Sequence, residues 1–139
     1  LTTAGSATQT FTWKDVDGPG GNAPQINNIS IAPNKTYACE IEFLDESKTP
    51  AENITTEVTA EGTDHQVYYE VATAAIAISG LNTDARGLPL GITSNWVTST
   101  NSAGSVKITL KHKPGVKAAG DLVSKGETDI EVSFPVVIQ

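Results

Sequence analysis

Two histidines, His65 and His112, are the first residues whose chemistry could be put to use. Each extends the apolar phase of a strand: His65 precedes Val67 and Tyr69 by the strand period, and His112 follows Leu110. Each is therefore expected at a rim of the core. If the two rims coincide, the pair could bind a transition metal together with one of Asp64, Glu61 or Asp121, because imidazole and carboxylate ligands suit such an ion. The spacing is not a metal motif, and a neutral histidine hydrogen-bonded at a strand end is the plainer explanation of each.

A second candidate is Asp15-Val16-Asp17-Gly18-Pro19-Gly20, patterned like the opening of a calcium loop. There Asp15 and Asp17 would supply alternate oxygen ligands and Gly18 the tight turn. The later bidentate glutamate of an EF-hand is missing, and Asp and Gly are also what any turn after a strand prefers. Glu52, Glu57, Glu61 and Asp64 could serve acid and base chemistry, but Glu57 and Glu61, four apart, describe a solvated helix face more simply. Gly-x-Ser-x-Gly, His-Glu-x-x-His and the phosphate-binding Gly-x-x-x-x-Gly-Lys are all absent. Cys39, the single cysteine, lies in phase with an apolar strand face, which excludes an intrachain disulfide. Of Trp13, Trp96, Tyr37, Tyr68 and Tyr69, only Tyr68 is out of phase with its strand's apolar face and so placed for sugar stacking. Asn28, Asn34 and Asn53 open glycosylation sequons by pattern.

The elements that must position these residues are mostly strands. Tyr37, Cys39, Ile41 and Phe43 alternate with Glu40 and Glu42, and Val106, Ile108 and Leu110 alternate with Lys107, Thr109 and Lys111. Ile130, Val132, Phe134, Val136 and Ile138 share one face of a closing strand. Shorter strands are expected at residues 10–14, 25–31, 66–71, 74–81 and 90–98. One helix is expected over residues 50–61, with Thr49 as its cap, Pro50 in its first turn and Gly62 closing it. Residues 1–6 read as a flexible tether and 7–139 as one domain. About eight short strands, one inserted helix and no alternation with long helices point to an all-β, antiparallel β-sandwich with an immunoglobulin-like Greek key; a jelly roll or small barrel is the next choice.

Composition narrows the function classes. The net charge of -7 and a pI near 4.6 argue against nucleic acid as a partner. Lys107, Lys111, Lys113 and Lys117 crowd one short segment, which reads as a solvated face. No apolar run is long enough to span a membrane. The lack of a methionine at position 1 suggests a processed product from which a signal segment has been removed.

Glu40-Ile41-Glu42-Phe43-Leu44-Asp45-Glu46, Pro50-Ala51-Glu52-Asn53-Ile54-Thr55, Asp64-His65-Gln66-Val67-Tyr68-Tyr69-Glu70 and Gly126-Glu127-Thr128-Asp129-Ile130-Glu131-Val132 resemble segments of small exported lipoproteins of Bacteroidota. Asp15 to Gly18, Pro89-Leu90-Gly91 and Leu110-Lys111-His112 extend the resemblance over most of the chain. It implies an extracytoplasmic protein at the outer membrane or cell surface, held by a lipid anchor since removed, beside a TonB-dependent receptor. Such proteins carry more acidic residues where this sequence has Thr59, Gly62, Ala85 and Arg86, so the resemblance speaks for location more than for a metal role. The leading expectation is a monomeric, non-enzymatic accessory domain that captures a small ligand or a metal. The alternatives are an adhesin or fimbrial module acting through a sheet edge, and a sugar hydrolase using the acidic cluster.

Overall fold

The computed structural model describes residues 1–15 and 23–139. In chain order the strands are β1 (Thr2–Thr3), β2 (Trp13–Lys14), β3 (Gln25–Ile26), β4 (Ile29–Ile31), β5 (Thr36–Glu40), β6 (Leu44–Asp45) and β7 (Glu52–Asn53). After helix α1 (Ile54–Ala60) and a 3-10 turn (Gly62–Asp64) come β8 (His65–Ala72), β9 (Ile76–Ser79), β10 (Thr93–Thr98), β11 (Ser102–His112) and β12 (Glu127–Ile138).

Eight of these strands build two four-stranded sheets, ordered β1-β5-β10-β9 and β4-β12-β11-β8. The chain is an all-β sandwich, and it passes between sheets from β1 to β4, from β4 to β5, from β5 to β8, from β8 to β9 and from β10 to β11. One pairing departs from a purely antiparallel arrangement: β4 lies parallel to the end of β12, with Ile29 opposite Val136 and Ile31 opposite Ile138.

Alternation fills the space between the sheets. Tyr37, Cys39 and Trp96 face inward from one sheet, and Val67, Val106, Ile108, Leu110, Phe134, Val136 and Ile138 from the other; all are buried. Tyr69 meets Trp96 edge-on across the interior, ring centres 6.2 Å apart, a favoured aromatic geometry. Each large apolar side chain withdrawn from water here contributes about 1.5–3 kcal/mol before entropy is set against it.

Several local expectations are overturned. Residues 1–6 are not a loose tether: Thr2 and Thr3 pair with Ala38 and Tyr37, and Leu1 packs on the core. The helix starts later than residue 50, because Glu52 and Asn53 pair with Asp45 and Leu44. Its cap is Asn53, whose side chain accepts from the Thr55 amide at 2.9 Å, and Gly62 begins the 3-10 turn instead of ending the helix in a left-handed conformation. The lysine segment is not a solvated face either. Lys113 is completely buried, Lys117 and Lys111 are 5% exposed, and only Lys107 of the four projects into solvent with its ammonium between Glu70 and Glu131.

Two of these buried lysines, Lys113 and Lys117, fasten the connection from β11 to β12 across the outer face of its sheet. Lys113 donates to Gln66 at 3.1 Å and to Asp121 at 3.3 Å, also contacts the Tyr68 hydroxyl, and stands 4.7 Å from the Tyr68 ring centre. Lys117 donates to Asp84 at 2.8 Å and to the Gly62 carbonyl at 3.0 Å, which ties this connection to the 3-10 turn just before His65. The outer edge of β8 is also covered. Val67 donates to the Leu90 carbonyl at 2.7 Å and the Tyr69 hydroxyl to that of Gly91 at 2.6 Å. Gly91 can pass this close because it has no side chain; a Cβ there would lie 2.7 Å from the Val67 carbonyl oxygen, at a φ of +86°.

Candidate functional site

The histidines meet. His65 begins β8, His112 ends β11, and the two are directly opposite in the antiparallel register. Their rings stack with centroids 4.8 Å apart and planes 16° from parallel. The strand phases that predicted two rims thus converge on one, at the end of the sandwich under α1. Ile54, Val58, Leu110 and Ile130 form the apolar floor of a cleft of about 340 Å³, and Glu57, Glu61, His65, His112 and Asp129 supply its polar groups. No lysine or arginine lines it.

His65 is almost fully buried and its ring is oriented by the turn before it. Its Nδ1 lies 3.0 Å from the Glu61 carbonyl oxygen. A carbonyl can only accept, so Nδ1 carries the hydrogen, and in the neutral ring Nε2 keeps its lone pair. That Nε2 faces Asp129 Oδ2 at 3.8 Å, beyond hydrogen-bond range.

Asp129 reaches this position through a β-bulge. Leu110 pairs with Ile130 but Lys111 pairs with Thr128, so Asp129 is the extra residue on β12. Strict alternation would put Asp129 on the face opposite Ile130; the bulge brings both to the cleft.

The other candidates are placed differently. Asp64 does not line the cleft; its carbonyl accepts from the Lys113 amide at 2.5 Å. Asp121 belongs to the outer face, where it takes Lys113, Lys125 and the Ala118 amide. The Ala118 amide, then the lysines, hold its carboxyl at about 2. Burial, and secondarily Asp121, pushes the Tyr68 hydroxyl up to about 12, and that hydroxyl donates to the Asp121 carbonyl at 3.1 Å. Tyr68 is therefore committed under the connection and is not an open sugar platform. Glu61 lines the cleft, as does Glu57 one helical turn before it. Of the calcium pair, Asp15 precedes the segment outside the described residues and Asp17 lies within it.

No protein-family model, no curated protein and no solved structure matches the chain. Among the described residues no three His, Cys, Asp or Glu side chains already converge as a metal set. What the cleft does offer is two imidazoles and three carboxylates with no basic residue among its lining groups, a local field that favours positive charge.

Asp129 escaped sequence reasoning and Glu57 was set aside by it, for different reasons. A bulge leaves no mark in a period-2 pattern, and the adjacent Ile130 argued for the wrong face. Glu57 and Glu61 carried the signature of a solvated helix face, and both are indeed exposed. Only the packing of α1 over the sandwich end turns that face toward the histidines.

Proposed function

We propose that the chain is a non-enzymatic extracytoplasmic accessory domain that captures a small cationic ligand or a metal ion in the His65–His112 cleft, beside an outer-membrane receptor. The observation that carries the binding role is the composition of the cleft: two stacked histidines and the carboxylates of Glu57, Glu61 and Asp129, without a lysine or arginine in the lining. Support for the location comes from the likeness of Asp64 to Glu70 and Gly126 to Val132 to exported Bacteroidota lipoproteins. The covered edge of β8 favours capture in the cleft over strand addition, because the longest outer strand has part of its free edge occupied by Leu90 and Gly91.

Equilibrium dialysis against three ligand classes tests the proposal: divalent metal ions with small amines and guanidines, anions, and neutral sugars. Retention of one or more members of the first class, weakened in a Glu57→Gln, Glu61→Gln double variant, is the expected result. Preference for anions or sugars, or cation binding indifferent to that variant, would refute it.

One observation favours a second reading. Carboxylates from α1 and from β12 line the same cleft, which is the minimum a sugar hydrolase needs. Among the described residues no Phe, Tyr or Trp lines the cleft to hold a sugar ring. Turnover of chromogenic glycosides, abolished by Asp129→Asn, would establish that reading in place of the first.

A further inference from the structure

We infer that the cleft's ion is a borderline divalent metal, Zn²⁺ or Cu²⁺, ligated by His65 Nε2, His112 and Asp129, an assignment that rests on the cation-binding role proposed above.

The two histidines occupy directly opposed positions on neighbouring antiparallel strands, where Cβ atoms stand about 4.5–5.5 Å apart. Two imidazoles so placed can share one ion. His65 is already oriented as a metal-binding histidine is: its Nδ1–H is given to the Glu61 carbonyl, which fixes the ring and leaves Nε2 as the donor atom. That lone pair faces a carboxylate oxygen at 3.8 Å. A metal ion could bridge these two electron-rich atoms. Metal bonds of about 2.0–2.2 Å meeting near the tetrahedral angle place nitrogen and oxygen about 3.4 Å apart, a few tenths of an ångström less than the gap observed. The three donors do not yet converge. His112, half-buried in the cleft lining, closes the set by turning out of its stack. A fourth position remains for water or for the carboxylate of Glu57 on α1 or of Glu61 at its C-cap, both of which line the same cleft.

The donor set also selects the metal. Ca²⁺ and Mg²⁺ take six or more oxygen ligands or keep their water, and two imidazoles in a short cleft offer neither. Imidazole with carboxylate suits zinc and copper. The bulge at Leu110/Lys111 acquires a purpose here, since it alone brings Asp129 to the histidine side of β12.

The test uses untagged protein purified without chelator, titrated calorimetrically with Zn²⁺, Cu²⁺ and Ca²⁺. One equivalent of Zn²⁺ or Cu²⁺ is expected to bind, with no response to Ca²⁺. His112→Gln and Asp129→Asn should each weaken binding by about tenfold to a hundredfold or more, at least the loss that removing an outer-shell partner brings. The Cu²⁺ electron paramagnetic resonance spectrum should show two nitrogen couplings in the wild type and one in His112→Gln. Asp129 sits at 40% side-chain exposure, so its variant keeps the test valid should the histidine variant fail to fold. Zinc and copper affinity unchanged in both variants, or a copper spectrum with oxygen ligands only, overturns the inference. Binding of amines or guanidines without transition metals overturns it as well, and the cation-binding role then stands. Failure of every cation to bind overturns both.

Discussion

Individual side chains in this domain differ sharply in whether their polar atoms are satisfied. Trp96 Nε1 reaches Ser94 at 3.1 Å, and Thr98 both donates to the Ala32 carbonyl at 2.7 Å and accepts from the Lys35 amide at 3.0 Å. Thr109 is the contrast. It is 3% exposed on β11, and its hydroxyl finds no partner among the described residues. Burying an unmade hydrogen bond costs about 1–3 kcal/mol, whereas an apolar group of the same shape carries no such penalty. Thr109→Val should therefore stabilise the protein by about 1 kcal/mol, seen as a higher urea midpoint at an unchanged slope. A midpoint that falls would mean that the hydroxyl is satisfied after all.

At the scale of elements, the short helix is the piece on which the cleft depends. α1 has seven residues, too few to persist without capping and packing. Val58 anchors it in the core, and Asn53 caps it while its amide nitrogen also donates to Glu42 at 3.1 Å. Asn53→Ala should cost about 1 kcal/mol of stability, and Asn53→Ser less because a cap oxygen remains. Because α1 carries Glu57 and its C-cap is Glu61, the same Ala variant should lower cation affinity while the Ser variant preserves it. Calorimetry on the two variants checks this, and equal affinities would separate the helix from the site. The helix was legible in the sequence as an interruption of the strand period, but its start was not. The Thr-Pro-Ala-Glu pattern at 49–52 has the chemistry of a helix start, yet pairing of Glu52 and Asn53 with Asp45 and Leu44 claims those backbones first. Local propensity lost to a tertiary hydrogen-bond ladder.

For the molecule as a whole, acid sensitivity should originate on the outer face of the sheet. The Asp121 carboxyl is held at about 2 by the Ala118 amide and by Lys125 and Lys113. Burial works to raise the Asp84 carboxyl, but Lys117 and the amides of Leu88 and Arg86 outweigh it and leave it below its ordinary value. A carboxyl depressed in the folded state adds stability that is complete above its unfolded value, near pH 4, and disappears as pH falls through the folded value. The melting temperature should therefore drop between about pH 4 and pH 2, with amides of residues 113–126 exchanging before those of β11 and β12. Asp121→Asn should flatten that drop. A wild-type profile level through this range would show that these ion pairs do not couple to folding.

Much of this could be read in the chain itself. Period-2 alternation in Thr36 to Phe43, Val106 to Lys111 and Ile130 to Ile138 determined the strands, their inward faces and hence the sandwich, because a strand's two faces must segregate to bury one of them. The same phase argument brought His65 and His112 to the core rim. Tertiary structure decided what alternation cannot encode. The register that opposes the two histidines depends on how neighbouring strands slide together. Asp129 changes face only through a bulge that requires its partner strand, and the burial of Lys113 and Lys117 requires Asp121 and Asp84, from separate turns, to meet their charges. Each is a contact between residues distant in sequence or a local break in the ladder, and neither leaves a periodic trace.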